Sequence, residues 1–562
     1  MSEKVFFSLV VYLGRMRFLT SNIRSAHLTT AIIMNGALKI NRAGLDFGLL
    51  ILVLCVLSNF SYGFETLDPN YMIPGVITDS NTVFTIPSVA KPDYGVSFVD
   101  STFGTRVTRI VGDSNTSVSW EGPPSGSGTW GLDARHHYSK DQPWNADGTL
   151  IAIQNNGTAG DLYLDGHTYK PRYKQYSGKK DDRWHPKLPN VRINVNGTTL
   201  EWVDVTTGTR LRTWTLPFSA TFGPSEGNPS FDGRFVVLST SNASSACVVD
   251  MDPQPPLDPY PYKRIGPVYT GIYSSDGSVT FDWASVSPSG KYCVATYGGV
   301  TSHLRVFDIN PDTLVISPRP MPTDSLECNC HTDTTQGWIY HLSHADMTLN
   351  PFDSNEDVIV GQIRSQTYCP WTNKEGVALG GVVMVRLKDN KVIRGTIPGN
   401  EAQPHHISTR DYYRPGWAYA SYYTSTGKRF TGEVIAVKLD GSGTVERYVH
   451  HHSYWSGIYR AEVHPVPSPD GRRVIFASDW YVNCGSGCGT TTNFQDYVME
   501  TTPVGDLTHS GSVDMIDLAK FADNWLSTDC ITPDWCSGAD LDTSGSVSFQ
   551  DLKRLTDNWL GE

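Results

Sequence analysis

At 562 residues the chain is too long for one ordinary small domain and long enough to bury a large core. Its 51 glycines, 34 prolines, 11% aromatic and 18% charged residues suit an all-β protein of many short strands. The net charge of −12 is uneven: residues 504–562 hold eleven acids against Lys520, Lys553 and Arg554, so overall acidity excludes no ligand class for the main domain.

The N-terminus reads as an export signal. Gly48 to Leu57 is an apolar run too short to span a bilayer comfortably, preceded by Lys39 and Arg42, and Ser61-Tyr62-Gly63 supplies small residues for cleavage. Met34 fits as the true start, with residues 1–63 as extension plus signal; an uncleaved anchor is the alternative. The expectation is a bacterial secreted or cell-surface protein with no membrane span after cleavage. Export makes disulfides the default for nine of the ten cysteines, Cys55 lying in the signal. Cys484 with Cys488 and Cys530 with Cys536 could each close a small ring. Cys328, Cys330 and Cys369 could join His331 in a zinc site, or form disulfides or buried thiols.

Residues 64–500 carry a repeat. Thr66 to Thr102 is Pro-rich and extended, and Gly104 to Ile110 reads as a first strand. Seven units follow, opened by Gln142, His185, Asn228, Ser285, His344, His406 and His464, at steps of 43, 43, 57, 59, 62 and 58 residues. The last is the clearest: His464-Pro465 leads to a Ser-Pro-Asp-Gly turn and then to a strand, Arg473 to Ser478. Proline presets one turn dihedral and glycine accepts positive φ, while the β-branched and aromatic run suits a sheet. A repeat of about this length, made of four short strands, predicts a seven-bladed β-propeller, because one blade cannot bury both faces alone. A β-sandwich array or a ring of six or eight blades is the alternative.

Residues 504–562 form a separate, small all-α unit. Asp506, Thr508, Ser510, Asp514 and Asp517 recur 34 residues later as Asp540, Asp542, Ser544, Ser548 and Asp551, with Gly511 and Gly545 at the sixth position. Oxygen ligands at positions 1, 3, 5, 9 and 12 around such a glycine make an EF-hand-type calcium loop. Each loop leads to a helix ending in Asp-Asn-Trp-Leu, at 523–526 and 557–560. The duplication, the aspartate at position 12 and these helices resemble a type I dockerin. That resemblance implies docking to a cohesin-like protein; a calcium-stabilised appendage without a partner is the alternative. Thr508, Ser510, Ser544 and Ser548 put uncharged oxygens in the loops, which weakens calcium binding.

In a propeller the first strand of each blade lines the central channel, so the openers converge. Four histidines among seven openers suit a divalent metal (Mn²⁺, Ca²⁺ or Zn²⁺) or neutralisation of a carboxylate. Arg135, His137 and Tyr138, just before the first opener, and His185 are the catalytic candidates: cation for a carboxylate, and groups to move a proton. Each could equally be an ordinary loop or packing residue. The stretch from Tyr169 to Lys187 interleaves Lys170, Arg172, Lys174 and other cations with Trp184 and tyrosines. Beside the channel it would bind a polyanion and stack on sugar faces, with His464 assisting; for an exported protein that partner is an acidic polysaccharide and not nucleic acid.

The His-Pro-x-x-Ser-Pro-Asp-Gly pattern, with a channel-mouth histidine on one blade and Gln403-x-x-His406 on the next, resembles the oligogalacturonate lyases and propeller-type ulvan lyases. The resemblance implies a metal on His344, Gln403 and His406, and cleavage of a uronate polysaccharide by β-elimination. Where that family has a further histidine this chain has Ser408, so His405 or His464 would have to replace it. The same turns occur in non-catalytic TolB-like propellers, so a binding module for glycan or protein is the rival reading.

Overall fold

The computed structural model describes residues 64–559, apart from 65, 74, 254–263, 273–278, 300–302, 322–334, 336–337, 340–341, 363–380, 398, 455–457, 486, 490–491, 502–504, 508–512, 531–535, 538, 542–543 and 558. The expected signal and Met34, the cluster of Cys328, Cys330, His331 and Cys369, and the loop positions Thr508, Ser510 and Asp542 lie outside the described residues. The chain divides into two compact units, one from Phe64 to Thr501 and one containing Thr502–Glu562. Among the described residues, no helix is long and apolar enough to cross a membrane.

The first unit is built of small antiparallel sheets in chain order. Strands Asp181–Trp184, Val191–Asn196, Thr199–Asp204 and Thr209–Thr215 form one sheet. Further sheets occupy Phe235–Ile265, Val279–Ile339, Ser343–Arg394 and Pro404–His450. A larger sheet holds both ends of the unit. In it Arg106–Arg109 pairs with Phe494–Glu500, which also takes Arg473–Ser478 on its other edge. A short parallel pairing of Phe494 and Gln495 with Asp133 and Ala134 joins this group to Leu150–Asn155, Leu162–Asp165 and Pro171–Lys174.

Side chains alternate along a strand, so each sheet buries both faces against different neighbours. In Glu356–Gln362, Ile359 packs with Val294 and Val306 of the preceding sheet, whereas Val358 and Val360 pack with Ala418, Ala420 and Ile435 of the following one. The same holds from sheet to sheet along the chain. The last contact joins Val466, Ile475 and Val498 to Trp144, Ile151, Ile153 and Leu162, so the end of the unit packs on its beginning. The fold is therefore a closed, propeller-like ring of small sheets. In the loop between Arg473–Ser478 and Phe494–Glu500, Cys484 and Cys488 form a disulfide, while Cys247 and Cys293 are buried free thiols.

The second unit has its own small core of Leu507, Val513, Leu518, Phe521, Val547 and Leu555. Helices Met515–Asp523 and Phe549–Asp557 contribute to it, and Cys530–Cys536 forms a disulfide. Asp514 caps the first helix in a reciprocal box with Asp517, the standard remedy for unpaired N-terminal amides.

Candidate functional site

Two strands begin with a break in pairing register. It falls between Ser343 and Asp346 in one sheet, and between Pro404 and Ile407 in the next. Such a bulge leaves residues unpaired and re-aims their side chains. The residues freed are His344 in the first and His405 and His406 in the second. His344 and His464 also have positive φ, 48° and 43°, a conformation that costs an L-residue about 1–3 kcal/mol and persists only where its surroundings enforce it.

The result is a cluster of imidazoles. Ring centroids lie 4.3 Å apart for His344 and His406, 5.1 Å for His344 and His405, 4.3 Å for His405 and His406, and 3.9 Å for His406 and His464. Glu462 reaches His405, His406 and His464. Its carboxylate meets His406 Nε2 at 2.8 Å and stands 3.5 Å from His405 Nε2 and 3.6 Å from His464 Nε2. Ligating atoms of His344, His405 and His406 all lie within 4.8 Å of one another, as do those of His406, Glu462 and His464.

Neither ring nitrogen of His464 makes a hydrogen bond, although the side chain is fully buried. Burial, and then His406 beside it, hold its pKa well below the usual imidazole value, so the ring is neutral at pH 7. Its backbone is pinned from below: His136 bridges the His464 carbonyl, at 2.6 Å, and Asp496 Oδ1, at 2.8 Å.

Tyr138 lies against the cluster, its ring centroid 4.7 Å from His464 and 5.2 Å from His406. Burial, and then the Glu226 carboxylate, push its pKa well above the usual phenol range, so it stays protonated. Lys140 Nζ lies 5.3 Å from the Tyr138 ring and is ion-paired with Glu226. Arg135 is fully buried, and none of its three guanidinium nitrogens makes a hydrogen bond. Asp133, whose carboxylate stands 3.7 Å from the Arg135 Nε, is already held by Arg460. Burial, and then Arg460, bring the Arg135 pKa down to about 10, which leaves it a cation at neutral pH. A cleft of about 520 Å³, lined by Gln403, His405, Tyr422, Tyr423, Tyr454 and Glu462 among others, meets the cluster at His405 and Glu462.

The structure thus brings together His344, His406, His464, Tyr138 and Arg135. Gln403 lines the same cleft and donates a 3.4 Å hydrogen bond to Gln362. Other expected site residues lie elsewhere. His185 is not at the channel mouth: its Nδ1 accepts from the Lys187 and Leu188 amides at 3.1 Å each, and its ring packs edge-on to Trp202. Trp184 is no sugar platform, because it is buried in the core and donates to the Pro143 carbonyl at 2.8 Å. Lys170, Arg172 and Lys174 belong to Pro171–Lys174 and its approach, the edge strand at the far side of its sheet from Asp133–Arg135. There Arg172 pairs with Asp165 and Lys174 lies over Trp120. His137 faces a separate pocket, hydrogen-bonded to Asp141 at 3.2 Å.

Sequence reasoning missed Glu462 altogether. Its signal was its position two residues before His464, since alternate residues of an extended segment share a face. In the triplet His450 to His452, the last two are structural. His451 Nε2 contacts the Tyr422 carbonyl at 3.0 Å and His452 Nδ1 the Val482 carbonyl at 2.8 Å.

In the second unit the described loop residues Asp506, Asp517, Asp540 and Asp551 are buried. Asp540 accepts from the Ser544 and Gly545 amides at 3.0 and 2.8 Å, with Gly545 at φ 93°, and Asp551 accepts from Ser548 N at 2.8 Å.

No protein-family model and no curated protein matches this sequence. Among solved structures, an oligogalacturonate lyase in complex with manganese is similar at 13% identity and a TM-score of 0.43, covering 74% of this chain and 98% of that one. The oligogalacturonate lyase of Vibrio parahaemolyticus gives 12% and 0.41, covering 72% and 96%. A hydrazine synthase of Kuenenia stuttgartiensis gives 15% and 0.37, covering 65% and 98%. Likenesses this slight carry no weight for chemistry, which rests on the side chains described above.

Proposed function

We propose that the chain is a secreted polysaccharide lyase that cleaves a uronate-containing polysaccharide by β-elimination at the mouth of a seven-bladed propeller. The observation that carries this reading is the cluster of half-buried His344 with buried His405, His406, Glu462 and His464, flanked by a protonated phenol and a buried guanidinium whose nitrogens make no hydrogen bond. Three imidazoles within ligating distance, with a carboxylate beside them, fit a transition ion such as Mn²⁺ or Zn²⁺ better than Ca²⁺. His344, His405 and His406 would hold it, with Gln403 at the rim. When bound, the ion supplies positive charge that neutralises the substrate carboxylate and acidifies the C5 proton.

The remaining roles belong to the chain. Arg135 adds a second cation for the carboxylate. Glu462 orients His406. Neutral His464 takes the C5 proton as base. Tyr138 gives its phenolic proton to the departing O4 as the C4–O4 bond breaks, leaving a 4,5-unsaturated uronate at the new end. Return of the proton from His464 to Tyr138 resets the site. Seven openers in the sequence and core contacts from each sheet to the next support the blade number.

The tail, in this reading, is a dockerin-like module that binds Ca²⁺ at Asp506, Thr508, Ser510, Asp514 and Asp517 and at Asp540, Asp542, Ser544, Ser548 and Asp551, and attaches the enzyme to a cohesin-like partner. Buried loop carboxylates support it, since a buried anion needs a compensating charge.

The test is incubation of the purified protein with pectin, ulvan and glycosaminoglycans, following the absorbance of the unsaturated uronate. A rise with at least one of them is expected, dependent on Mn²⁺ or Zn²⁺. A flat trace with every substrate and ion sinks the lyase reading, and activity untouched by a chelator sinks the metal alone.

A further inference from the structure

The cleft that meets the histidine cluster at His405 and Glu462 has, at about 520 Å³, the size of a small-ligand site. Its charge is unusual for a partner that is an acidic sugar chain. Among the described residues that line it there is no lysine or arginine, and Glu462 is the one carboxylate. His451 is neutral by its bonds: Nδ1 accepts from the Ser453 amide at 3.0 Å, so the proton sits on Nε2, which donates to the Tyr422 carbonyl at 3.0 Å. The Gln403 amide and the hydroxyls of Tyr423, Thr424 and Ser425 add uncharged donors and acceptors.

The cleft also opens onto aromatic surface. Tyr454 lines it and is 47% exposed, and the Tyr481 ring, 46% exposed, lies 5.6 Å away between centroids. Tyr459, 52% exposed, stands 5.4 Å from the His464 ring. Three of the four most exposed tyrosines among the described residues therefore stand at the cluster or its cleft. Adjoining exposed aromatics mark an interaction surface, and a phenol ring offers an apolar face with a polar edge, as a sugar ring does. A sugar acid here would bring its carboxylate towards Glu462 with no side-chain cation to meet it, and an unpaired charge taken out of water is costly. A neutral sugar has hydroxyls to bond and a face to stack.

We propose that this cleft holds the sugar next to the uronate bound at the histidine cluster, that this sugar is uncharged, and that Tyr454 stacks on its face. The substrate is then a chain in which neutral sugars adjoin the uronates, not a run of uronates. The uronate at the histidines rests on the lyase reading; the uncharged lining of the cleft does not.

The test compares polymers that share a uronate and differ in its neighbour: the rhamnogalacturonan I backbone against polygalacturonate, and desulfated against native ulvan. Within a pair the histidine site meets the same uronate, so a difference reports the cleft. Retention of the full chain is measured by affinity electrophoresis, and cleavage by the absorbance of the unsaturated uronate. In at least one pair the polymer with the uncharged neighbour should bind about tenfold tighter or more. Tyr454→Ala should erase that preference with Tm unchanged, and Tyr454→Phe, which keeps the ring, should preserve it. Thr424→Lys puts a cation at an exposed position of the lining and should reverse it. The proposal falls if neither pair shows the preference, if no polymer is retained, or if Tyr454→Ala leaves the preference intact. A preference that Thr424→Lys does not move overturns it as well, even if Tyr454→Ala fails to fold. Cleavage that proceeds without any preference within either pair sinks the neutral-sugar cleft alone. A Tyr454-dependent preference in retention with a flat lyase trace sinks the lyase reading alone.

Discussion

His185 and His464 both open a repeat with His-Pro, yet one imidazole is a turn brace and the other sits in a ligand-grade cluster. Their backbones differ: His464 has φ 43°, whereas His185 is not among the residues with positive φ, and His406, likewise not among them, is turned by a register break instead. Sequence shows the residue type at each opener but not this dihedral, so the four histidines looked equivalent. The consequence for His185 is measurable. Burial lowers its pKa to about 4, from an unfolded value near 6.5. The unfolded chain therefore binds the extra proton first, and stability present above about pH 6.5 is lost as pH falls toward 4. The size is about 3 kcal/mol. Thermal unfolding between pH 7 and 4 should show this slope, and His185→Gln should flatten it; an unchanged slope would remove His185 from the account. Tyr138→Phe tests the other kind of residue. It keeps the buried ring and removes the proton, so kcat should fall by about 10²–10⁴ with Tm nearly unchanged. Activity within threefold of the parent would move the acid elsewhere.

At the scale of elements, the strands and turns were legible because a short β-branched and aromatic run behind a turn, such as Val474 to Ser478, marks a strand buried on both faces. Strand order within a sheet was not. The run from Lys170 to Lys174 reads as a cationic, aromatic surface wherever it lies, and only the pairing Leu162–Asp165 with Pro171–Lys174 puts it on an edge. Glu462 escaped for a similar reason, since His406, which it meets at 2.8 Å, is 56 residues away and only its place two residues before His464 marks it. The closing strand makes a sharp prediction. Val107 is fully buried among Val474, Phe476 and Met499, whereas Val99, one strand further out, is 62% exposed. Val107→Asp buries an unpaired carboxylate at the seam of the ring and should cost several kcal/mol, enough to abolish cooperative folding. Val99→Asp should stay within about 0.5 kcal/mol. Urea unfolding of the two variants compares them directly, and equal midpoints would mean that the N-terminal strands do not close the ring.

For the whole molecule, the two units put two unlike donor sets in one chain. The ring offers imidazole nitrogens at His344, His405 and His406; the tail offers carboxylate and hydroxyl oxygens. Softer nitrogen donors select transition ions, and hard oxygen donors select calcium. Each unit also has its own core, so ion binding to one should stabilise that unit by its own RT ln(1 + [L]/Kd), about 2.7 kcal/mol at a hundredfold excess over Kd. A chain ending at Thr501 should therefore keep its cleavage rate within about twofold and keep the Tm rise on adding Mn²⁺ or Zn²⁺. It should lose the Ca²⁺-dependent transition expected of the full chain in calorimetry. Loss of cleavage on removing the tail would mean that the second unit takes part in the chemistry. A Ca²⁺-dependent transition that survives its removal would place calcium in the ring instead, and with it the oxygen ligands of a different site.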